Sequence, residues 1–515
     1  MASPLWLYAL ALIVSGLVWL RTSKRVASRR RRLLYPPGPK GYPLIGNLLH
    51  LPLKHAWLVY DEWFKIYGDM VYLEVFGQSF LVLGTPERAQ DLFEKRSAIY
   101  SDRPEFVMLN EMMGWDFNFA LMRYGPWWRR NRRMFHQYFN MNEVHKYDDI
   151  QRAETHVFLQ RLLDSPEEFI HHIRHAIGAV VLKITYGISV QEENDPYIHN
   201  AEEAFIGATE AGVPGRFLVE LIPAMKKIPS WFPGTGWRRW AEYYYSVNQR
   251  IIYMPFEYVR GTLEKGTEVP SVAASLIERL PAENAPNWAE EEKIAKNTAA
   301  VVYSSASDTT VSTIQTFFLA MCLYPEVQNK AQEELDRVVG GRLPGFSDRD
   351  SLPYVNAVIK ECVRWQPAVP LIPHTSSEDD EYDGYFIPKG TMVIGSAWSM
   401  LHDPQAYIEP HQYMPERFLK DGRMDSNVRD PELAFGFGRR TCAGRHLSNH
   451  SLFIIVASVL AAFDIKPPLG EDGKPVELKP RYSSGLLSYP EPFEARIVPR
   501  SEKVETMLRG SELAD

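Results

Sequence analysis

The amino-acid sequence predicts one mainly helical domain with a small β-rich portion. Apolar residues recur at helical spacing through most of residues 143–260, and a second helical pattern runs from 290 to 323. Short stretches that alternate or run apolar, bounded by glycine or proline, indicate a few strands on either side of this helical region. No linker-like segment divides the rest of the 515 residues after residue 43, so we expect one domain with a large core.

The predicted elements follow one another along the chain. Two strands around Gly77-Gln78 predict a β-hairpin, and the helical region follows it. Residues 264–287 are polar and contain several prolines, which predicts a surface connection. The long helix should end near Pro325, because proline cannot continue a helix. Strands are predicted at 71–75, 80–83, 385–387, 391–394 and 493–497.

The composition excludes some classes of function. The 57 lysines and arginines and 64 aspartates and glutamates give a net charge of −7, so nothing indicates a nucleic-acid partner. The three cysteines, Cys322, Cys362 and Cys442, are too few and too scattered for a disulfide framework. The cysteine content therefore favours a reducing compartment.

The N-terminus predicts a membrane anchor followed by a stiff hinge. Residues 5–20 carry no charge and, with the four residues before them, are long enough to cross a bilayer as a helix. The basic cluster follows this stretch, which favours an uncleaved anchor over a cleaved signal peptide and keeps the rest of the chain in the cytosol. The proline-rich residues 36–43 are typical of stiff linkers. We therefore divide the chain into an anchor (1–20), a basic and proline-rich hinge (21–43) and a main domain (44–515).

The most distinctive segment is a glycine-punctuated loop just ahead of an apolar helical stretch at 447–463. It reads FGFGRRTCAG and contains Cys442. A cysteine thiolate is a soft anionic ligand for iron, and the N-terminus of the following helix would stabilise its charge. Gly438 and Gly444 let the backbone turn tightly and approach a flat ligand. The alternative is a buried free cysteine near a turn, the ordinary role of a lone cysteine.

This loop resembles the signature F-x-x-G-x-R-x-C-x-G of the cytochrome P450 superfamily at all five fixed positions. The resemblance implies the cytochrome P450 fold, preceded here by a transmembrane helix, with heme b as the cofactor and Cys442 as the axial ligand of its iron. Phe435, Gly438 and Gly444 then belong to the heme-binding loop, and Arg440 is expected at a heme propionate, because a planar guanidinium matches a carboxylate. The proline-rich hinge resembles that of microsomal members, and the chain as a whole resembles fungal enzymes of secondary metabolism.

A polar segment lies within the long helix. Residues 301–310 read VVYSSASDTT and resemble the P450 oxygen-activation motif A/G-G-x-D/E-T-T/S. By that match Asp308 and Thr309 form a proton-delivery pair, since a positioned acid and hydroxyl can relay protons to reduced dioxygen. The chain departs from the motif at Ser305 and Ala306, where alanine or glycine, and then glycine, are usual. The alternative is a polar patch on an ordinary helix.

Three charged residues resemble the Glu-Arg-Arg network of the family. Glu361 and Arg364 are three residues apart and share one helix face, a spacing that is common and carries little information alone. Arg417 lies in the tetrapeptide PERF, which resembles the segment that completes the network. The resemblance implies that Glu361, Arg364 and Arg417 form a buried structural network on the cysteine side of the heme.

Other basic and aromatic residues resemble the propionate contacts of the family. Trp128 and Arg132 are one turn apart in a segment similar to the family's W-x-x-x-R helix, and the resemblance implies that both reach a heme propionate. His374 and Arg103 resemble further propionate contacts. Three neighbouring residues are expected to point elsewhere, where they either attract an acidic electron donor or are merely solvated: Arg129, Arg130 and Arg133.

Several segments resemble those that line the substrate cavity in the family. Their aromatic, methionine and aliphatic content favours a hydrophobic, lipid-like or terpenoid small molecule, although the same residue types also form ordinary cores. Residues 222–240, rich in proline and tryptophan, are a candidate second contact with membrane lipid. The candidate substrate contacts are Tyr303, Ser307, Val369, Leu371 and Leu486.

The resemblance implies a heme-thiolate monooxygenase that inserts one oxygen atom of O2 into a hydrophobic small molecule, with residues 44–515 as its catalytic domain. The chain has no G-x-G-x-x-G nucleotide site, so NADPH is expected to be used by a separate flavoprotein reductase and not bound here. A cytochrome b5-type protein is a second candidate donor. The alternatives are a heme-thiolate isomerase or dehydratase that needs no external electrons, and a non-catalytic heme-binding protein. The expected location is the endoplasmic reticulum membrane, with a single span and a cytosolic domain.

Overall fold

A computed structural model describes residues 33–213 and 216–510 of the chain, without the side chain of Ser307. The predicted anchor, residues 1–20, and the basic part of the hinge lie outside the described residues. None of the described helices combines the length and the apolar composition that crossing a bilayer requires.

The described residues form sixteen α-helices and ten short strands. The helices are α1 (Ala56–Tyr67), α2 (Pro86–Ala89), α3 (Ser97–Tyr100), α4 (Pro126–Phe139), α5 (Asp148–Asp164), α6 (Phe169–Tyr186), α7 (Pro196–Ala211), α8 (Leu218–Leu221), α9 (Gly236–Lys265), α10 (Val272–Glu278), α11 (Trp288–Leu323), α12 (Pro325–Val338), α13 (Pro353–Trp365), α14 (Ala397–Leu401), α15 (Arg445–Ala462) and α16 (Glu502–Gly510). The strands are β1 (Met70–Val75), β2 (Gln78–Leu83), β3 (Leu371–Thr375), β4 (Asp380–Tyr382), β5 (Tyr385–Ile387), β6 (Met392–Ser396), β7 (Leu419–Lys420), β8 (Arg423–Met424), β9 (Phe463–Lys466) and β10 (Arg496–Pro499).

Helix α11 is the centre of the helical core. It packs against α4, α6, α9 and α15, which is why it is apolar around most of its circumference rather than along one stripe. It starts two residues before the predicted position and ends at Leu323, two residues before Pro325. The predicted long helix is therefore confirmed.

The largest sheet has four strands in the order β1-β2-β6-β3. Strands β1 and β2 form the predicted hairpin, in which Val75 pairs with Gln78. The two turn residues, Phe76 and Gly77, have φ angles of +47° and +81°, as a tight hairpin turn requires. Strand β6 is parallel to β2 and antiparallel to β3, and β3 carries His374.

Two sequence predictions are corrected. The middle of the predicted surface connection at 264–287 is helix α10, whose residues Val272, Ala273 and Leu276 are buried. The polar flanks hid a short apolar run, and the Ser271 side chain caps it by accepting the Ala274 N–H. The last strand is β10, which starts three residues after the predicted position and pairs with β9.

The described part of the predicted hinge packs against the sheet. The Tyr72 N–H of β1 donates to the Pro37 carbonyl at 2.8 Å, and the Tyr35 ring stacks on the Tyr72 ring. A Cβ on Gly38 would lie 2.0 Å from the Tyr72 carbonyl oxygen, so only glycine allows this approach. The proline-rich stretch therefore reaches the surface of the domain before residue 44.

Candidate active site

The loop that carries Cys442 is held in a sharply turned conformation. Gly438 has a φ angle of +52°, and a Cβ at this position would lie 2.2 Å from the Phe93 carbonyl oxygen. The Cys442 N–H donates to the Phe435 carbonyl at 2.7 Å, which closes the loop. Gly444 has an ordinary φ of −86°, and a Cβ there would meet no atom closer than 4.0 Å, in Phe135. Gly438 is thus required by the turn, whereas Gly444 leaves space beside the cysteine.

The Cys442 sulfur lies at the N-terminus of α15 and is open to an internal space. The side chain is exposed to this space, but protein surrounds the space itself. The resulting loss of solvation raises the pKa of the thiol. The backbone N–H groups of Gly444 and Arg445 and the charges of Arg132 and Arg445 lower the same pKa. The other two cysteines are buried, and burial raises the pKa of each thiol to about 12. Cys442 is therefore the one cysteine of the three that can offer a thiolate to a ligand.

Four cationic or donor residues converge near this loop: Arg103, Arg132, His374 and Arg440. Burial, followed by the charge of Arg132, lowers the pKa of Arg103 to about 10. Burial, Arg103 and Arg132 lower the pKa of Arg440 to about 9, although Asp102 acts in the opposite direction. Burial together with Arg103 and Arg440 holds the pKa of His374 well below its usual range. Each of these groups thus disfavours the charge on another.

Arg103 and Arg440 are fixed by backbone carbonyls. Arg440 donates to the carbonyls of Ser101, Phe119 and Met122 at 2.7, 3.1 and 2.7 Å. These bonds use three of its five N–H donors and leave one on each terminal nitrogen. Arg103 donates to the carbonyls of Ala120 and Pro373. Both guanidinium groups are therefore positioned before any ligand arrives.

The His374 side chain lacks one of its two hydrogen-bond partners. Its Nδ1 donates to the Tyr100 carbonyl at 2.8 Å, and its ring stacks on Phe93. Its Nε2 is buried and has no partner among the described residues. A buried unpaired nitrogen beside three mutually repelling guanidinium groups fits a missing anion, and the two carboxylates of heme b supply it. The residues present thus fit the cofactor that the sequence predicts.

Trp128 and Arg132 lie on one face of α4 at this cluster. The Arg132 guanidinium donates to the Thr441 carbonyl at 2.6 Å, next to Cys442. The Trp128 ring lies 4.4 Å from the Arg440 guanidinium carbon, a cation–π contact. The single N–H of Trp128, however, donates to the Phe119 carbonyl at 3.0 Å. A direct hydrogen bond from Trp128 to a propionate stays a prediction and requires that bond to exchange.

The predicted Glu-Arg-Arg residues lie in one buried cluster. Arg364 makes two bonds to the Glu361 carboxylate, at 2.7 and 2.8 Å, and neither side chain is exposed. Arg417 donates to the same carboxylate at 3.1 Å, as does the Met414 N–H at 2.8 Å. Both arginines also donate to backbone carbonyls between residues 401 and 412. The cluster therefore fixes the chain segment that precedes the cysteine loop.

Helix α11 turns one small face toward the internal space. Ser305, Ala306 and Thr309 are partly exposed, whereas nearly all described residues around them from 301 to 322 are buried. The Thr309 hydroxyl donates to the Ser305 carbonyl at 3.4 Å, and the helix is continuous through this point. Ser448 lies in the first turn of α15, four residues after Gly444. Its hydroxyl bonds to that of Thr310 in α11 at 3.2 Å. We therefore assign this face and Cys442 to one cavity between α11 and α15.

Asp308 points away from this face. Its carboxylate pairs with Arg174 of α6 at 3.0 Å and accepts the Tyr489 hydroxyl at 2.7 Å. Burial raises the pKa of the Asp308 carboxyl, against the lowering effect of Arg174 and Tyr489. No hydrogen bond among the described residues joins Asp308 to Thr309 directly. A proton that moves between them must cross a gap.

Sequence motifs gave no signal for the partners of these groups. Arg174 and Tyr489 are 134 and 181 residues from Asp308. Asn118 is 187 residues from Ser305, to which it bonds. None lies in a recognisable pattern. Only the packing of α6, the C-terminal segment and the loop before α4 against α11 brings them together.

The predicted substrate contacts differ in their exposure. Val369, Leu371 and Leu486 are partly exposed. Tyr303 is buried, packs against Tyr186 and donates to the Tyr197 carbonyl. Ser307 has no described side chain. Contact of any of these residues with a substrate stays a prediction.

A cysteine sulfur that is open to an internal cavity, beside a cationic cluster whose one nearby carboxylate, Asp102, is already paired with Arg123, fits proteins that hold heme through a thiolate. Comparison with known sequences agrees with this class. The family model described as Cytochrome P450 matches residues 36–496. The chain belongs to the cytochrome P450 family, whose members bind heme b through an axial cysteine thiolate.

Several fungal proteins resemble the chain over almost its whole length. Cytochrome P450 monooxygenase COX2 of Coprinopsis cinerea is 48% identical and covers 94% of this chain and 93% of the relative. Cytochrome P450 monooxygenase COX1 of the same fungus is 44% identical, with 97% and 98% covered. Tryptamine 4-monooxygenase of Psilocybe cyanescens is 38% identical, with 97% and 99% covered. The chain is accordingly a cytochrome P450 monooxygenase. The predicted enzyme class, the predicted cofactor and the resemblance to fungal enzymes are confirmed.

Proposed function

We propose that this enzyme inserts one oxygen atom of O2 into a hydrophobic small molecule at a heme that Cys442 ligates. The observation that carries the assignment is the exposed Cys442 sulfur, beside the buried His374 and three guanidinium groups whose positive charges repel one another. When bound, the heme supplies the activation of dioxygen with two electrons. The protein's own residues bind the cofactor, deliver protons and orient the substrate.

The cationic cluster binds the two propionates. Arg103, Arg132 and Arg440 would neutralise them, and His374 would donate the remaining hydrogen bond from Nε2 after taking up a proton. The carboxylates would offset both the burial and the mutual repulsion that lower the pKa values of Arg103 and Arg440. Cofactor binding therefore stabilises a region that is electrostatically unfavourable without it.

We assign Asp308 as the acid that supplies protons to Thr309. Burial raises the pKa of its carboxyl, which makes it easier to protonate than an ordinary aspartate. The Thr309 hydroxyl reaches the cavity face, and a water molecule between the two residues completes the transfer.

A separate NADPH-dependent flavoprotein reductase supplies the electrons, with a cytochrome b5-type protein as a second donor. The exposed Arg129 and Arg133 of α4, together with Arg439 of the cysteine loop, form a basic face that suits an acidic partner. Arg130 belongs to this face least, because Glu290 and Glu291 pair with it at 2.6 and 2.9 Å. The basic face lies next to Cys442, so the electron path is short.

We further propose that the enzyme is held at the endoplasmic reticulum membrane by residues 1–20, with its domain in the cytosol. Residues 222–240 support a second contact with lipid, since Trp231 and Phe232 are 79% and 51% exposed. Leu221, Leu48 and Leu51 pack against one apolar cluster, and Leu49 and Leu53 beside the latter two are also exposed. We propose that these two parts of the chain together contact the lipid.

Turnover experiments distinguish monooxygenation from the alternatives. The purified enzyme, a flavoprotein reductase and NADPH should convert a hydrophobic substrate to a product that carries one atom from labelled O2. Product formed from a lipid peroxide alone, without reductase, would instead identify an isomerase or dehydratase. Heme binding without turnover of any substrate in a broad panel would favour the non-catalytic alternative.

A further inference from the structure

Ser305, one of the two positions where the chain departs from the oxygen-activation motif, carries a hydrogen bond to another segment. The Asn118 side-chain amide donates to the Ser305 hydroxyl oxygen at 3.0 Å. The amide orientation is fixed because Asn118 Oδ1 accepts the Ala120 N–H at 2.9 Å, which leaves the NH2 group facing Ser305. An alanine or glycine at 305 would leave this amide without its partner.

Asn118 and Ser305 each retain an unused donor. The Asn118 NH2 group has two hydrogens, and among the described residues only Ser305 accepts one. The Ser305 oxygen accepts that bond, so its own O–H is free to donate, and no acceptor for it is found in the described part of the chain. The pair therefore presents two hydrogen-bond donors, and no carboxylate in the described part of the chain accepts from either of them.

The pair joins the small face of α11 to the loop before α4. Asn118 is buried, whereas Ser305 is partly exposed on the small face of α11 that also carries Thr309. The loop that follows Asn118 is held by the cationic cluster, because Arg440 donates to the carbonyls of Phe119 and Met122. Helix α11 and this cluster thus fix the loop at two points, so the donors are held in place before a substrate binds.

We infer that Asn118 and Ser305 are the polar recognition point of the substrate cavity, and that the substrate carries an acceptor oxygen on an otherwise apolar skeleton. This inference rests on the proposed function. Two fixed donors in an apolar cavity favour a carbonyl, hydroxyl or ether oxygen and disfavour a plain hydrocarbon, which leaves both donors unpaired. The substrate is therefore already oxygenated when it arrives, and an earlier oxidation, hydration or acyl-transfer reaction must supply that oxygen.

The test compares two probes that share one skeleton. Decalin and 2-decalone are titrated into the heme-loaded full-length enzyme in detergent, and dissociation constants are read from the shift of the ferric heme absorption band. The wild type should bind 2-decalone more tightly than decalin. Ser305→Ala should weaken 2-decalone binding by roughly 5-fold, the effect of one hydrogen bond, and leave decalin binding unchanged.

Two further variants control the result. Ser304→Ala makes the same chemical change one residue earlier, where the hydroxyl is buried and has no partner in the described structure, and it should change neither constant. Asn118→Asp keeps the bond to the Ala120 N–H but removes both amide donors, so it should also weaken binding of the ketone alone.

Two outcomes would overturn the inference. One is a wild type that binds 2-decalone no more tightly than decalin, and the other is a Ser305→Ala variant that loses affinity for both probes equally. Failure of the proposed function is a separate result, since it would appear as a missing thiolate spectrum or as absent turnover with reductase. Binding shifts do not depend on turnover, so the two failures are distinguishable.

Discussion

Two neighbouring residues of α11 occupy different environments, and the difference assigns them different tasks. Asp308 is buried between Arg174 and Tyr489, whereas Thr309 reaches the cavity face. Because residues i and i+1 project about 100° apart on a helix, one side chain can meet the core and the other the cavity. In the proposed relay, the acid therefore lies behind the helix and the hydroxyl in front of it.

Replacement of Thr309 separates oxygen consumption from product formation. Thr309→Ala removes the hydroxyl that passes the proton, so product formed per NADPH should fall at least about tenfold while hydrogen peroxide increases. Thr309→Ser keeps a hydroxyl and should restore most of the product yield. Product, peroxide and NADPH are measured in the same reaction, and equal yields from the alanine variant and the wild type would exclude this role.

Replacement of Glu361 tests the buried network. Glu361→Gln leaves Arg364 and Arg417 without their carboxylate, and an unpaired buried charge should lower the free energy of unfolding by about 3–5 kcal/mol. Glu416→Gln is the matched control, because the amide can still accept the Tyr354 hydroxyl, and the ion pair that is lost, with the 52% exposed Lys330, should contribute less than about 1 kcal/mol. Urea unfolding and heme content are the measurements. Similar losses in the two variants would contradict a structural role for the network.

At the scale of elements, a carboxylate joins α8 to the short π-helix at 107–112. The Glu220 carboxylate accepts the N–H groups of Val107 and Met108 at 2.9 and 2.7 Å. Burial raises the pKa of Glu220 to about 7, despite these bonds. The protonated form is thus favoured when the two segments are in contact. The contact is stabilised fully below the pKa of a free glutamate and loses that stabilisation as the pH rises through about 7.

The Glu220 contact should therefore weaken at alkaline pH. Between pH 6 and pH 8 we expect it to lose about 1 kcal/mol, seen as faster hydrogen exchange at 107–112 after correction for the intrinsic rate. Glu220→Gln can still accept the N–H bonds and should remove the pH dependence. Exchange that depends on pH equally in the variant and the wild type would contradict this explanation.

The sequence predicted elements whose cause is local. The hairpin predicted around Gly77-Gln78, whose turn residues are Phe76 and Gly77, the end of α11 before Pro325 and the turn at Gly438 each follow from residues a few positions apart. Helix α10 was missed because its apolar run is only a few residues long between polar flanks. A short run of that kind does not distinguish a helix from a loop until its packing against α9 and α11 is known.

At the scale of the whole molecule, the site depends on contacts between distant parts of the chain. The family motifs identified Cys442, Glu361 and Asp308, because each lies in a short pattern. The sequence did not predict the residues around the site. Arg174 and Asn118, for example, are each more than 130 residues from the α11 residue that they contact, and neither lies in a motif. Long-range packing determines those pairs, and a single sequence does not encode it in any local signal.

The exposed apolar surface predicts membrane binding that does not depend on the anchor. A protein that consists of residues 33–515 should sediment with phosphatidylcholine vesicles, and the double variant Trp231→Ser, Phe232→Ser should reduce the partition coefficient about tenfold or more. Ile408→Ser is the control, because Ile408 is as exposed as Trp231, at 79%, but lies in another part of the chain. Equal effects of the control and the double variant would indicate general stickiness rather than a membrane face.

The proposed chemistry depends on Cys442 holding the heme iron as a thiolate. Carbon monoxide added to the reduced wild-type protein should give the strongly red-shifted absorption band that distinguishes thiolate from histidine ligation. Cys442→Ser should abolish that band, whereas Cys362→Ser, at a buried cysteine bonded to Tyr413, should keep it. A red-shifted band that persists in Cys442→Ser would contradict the account.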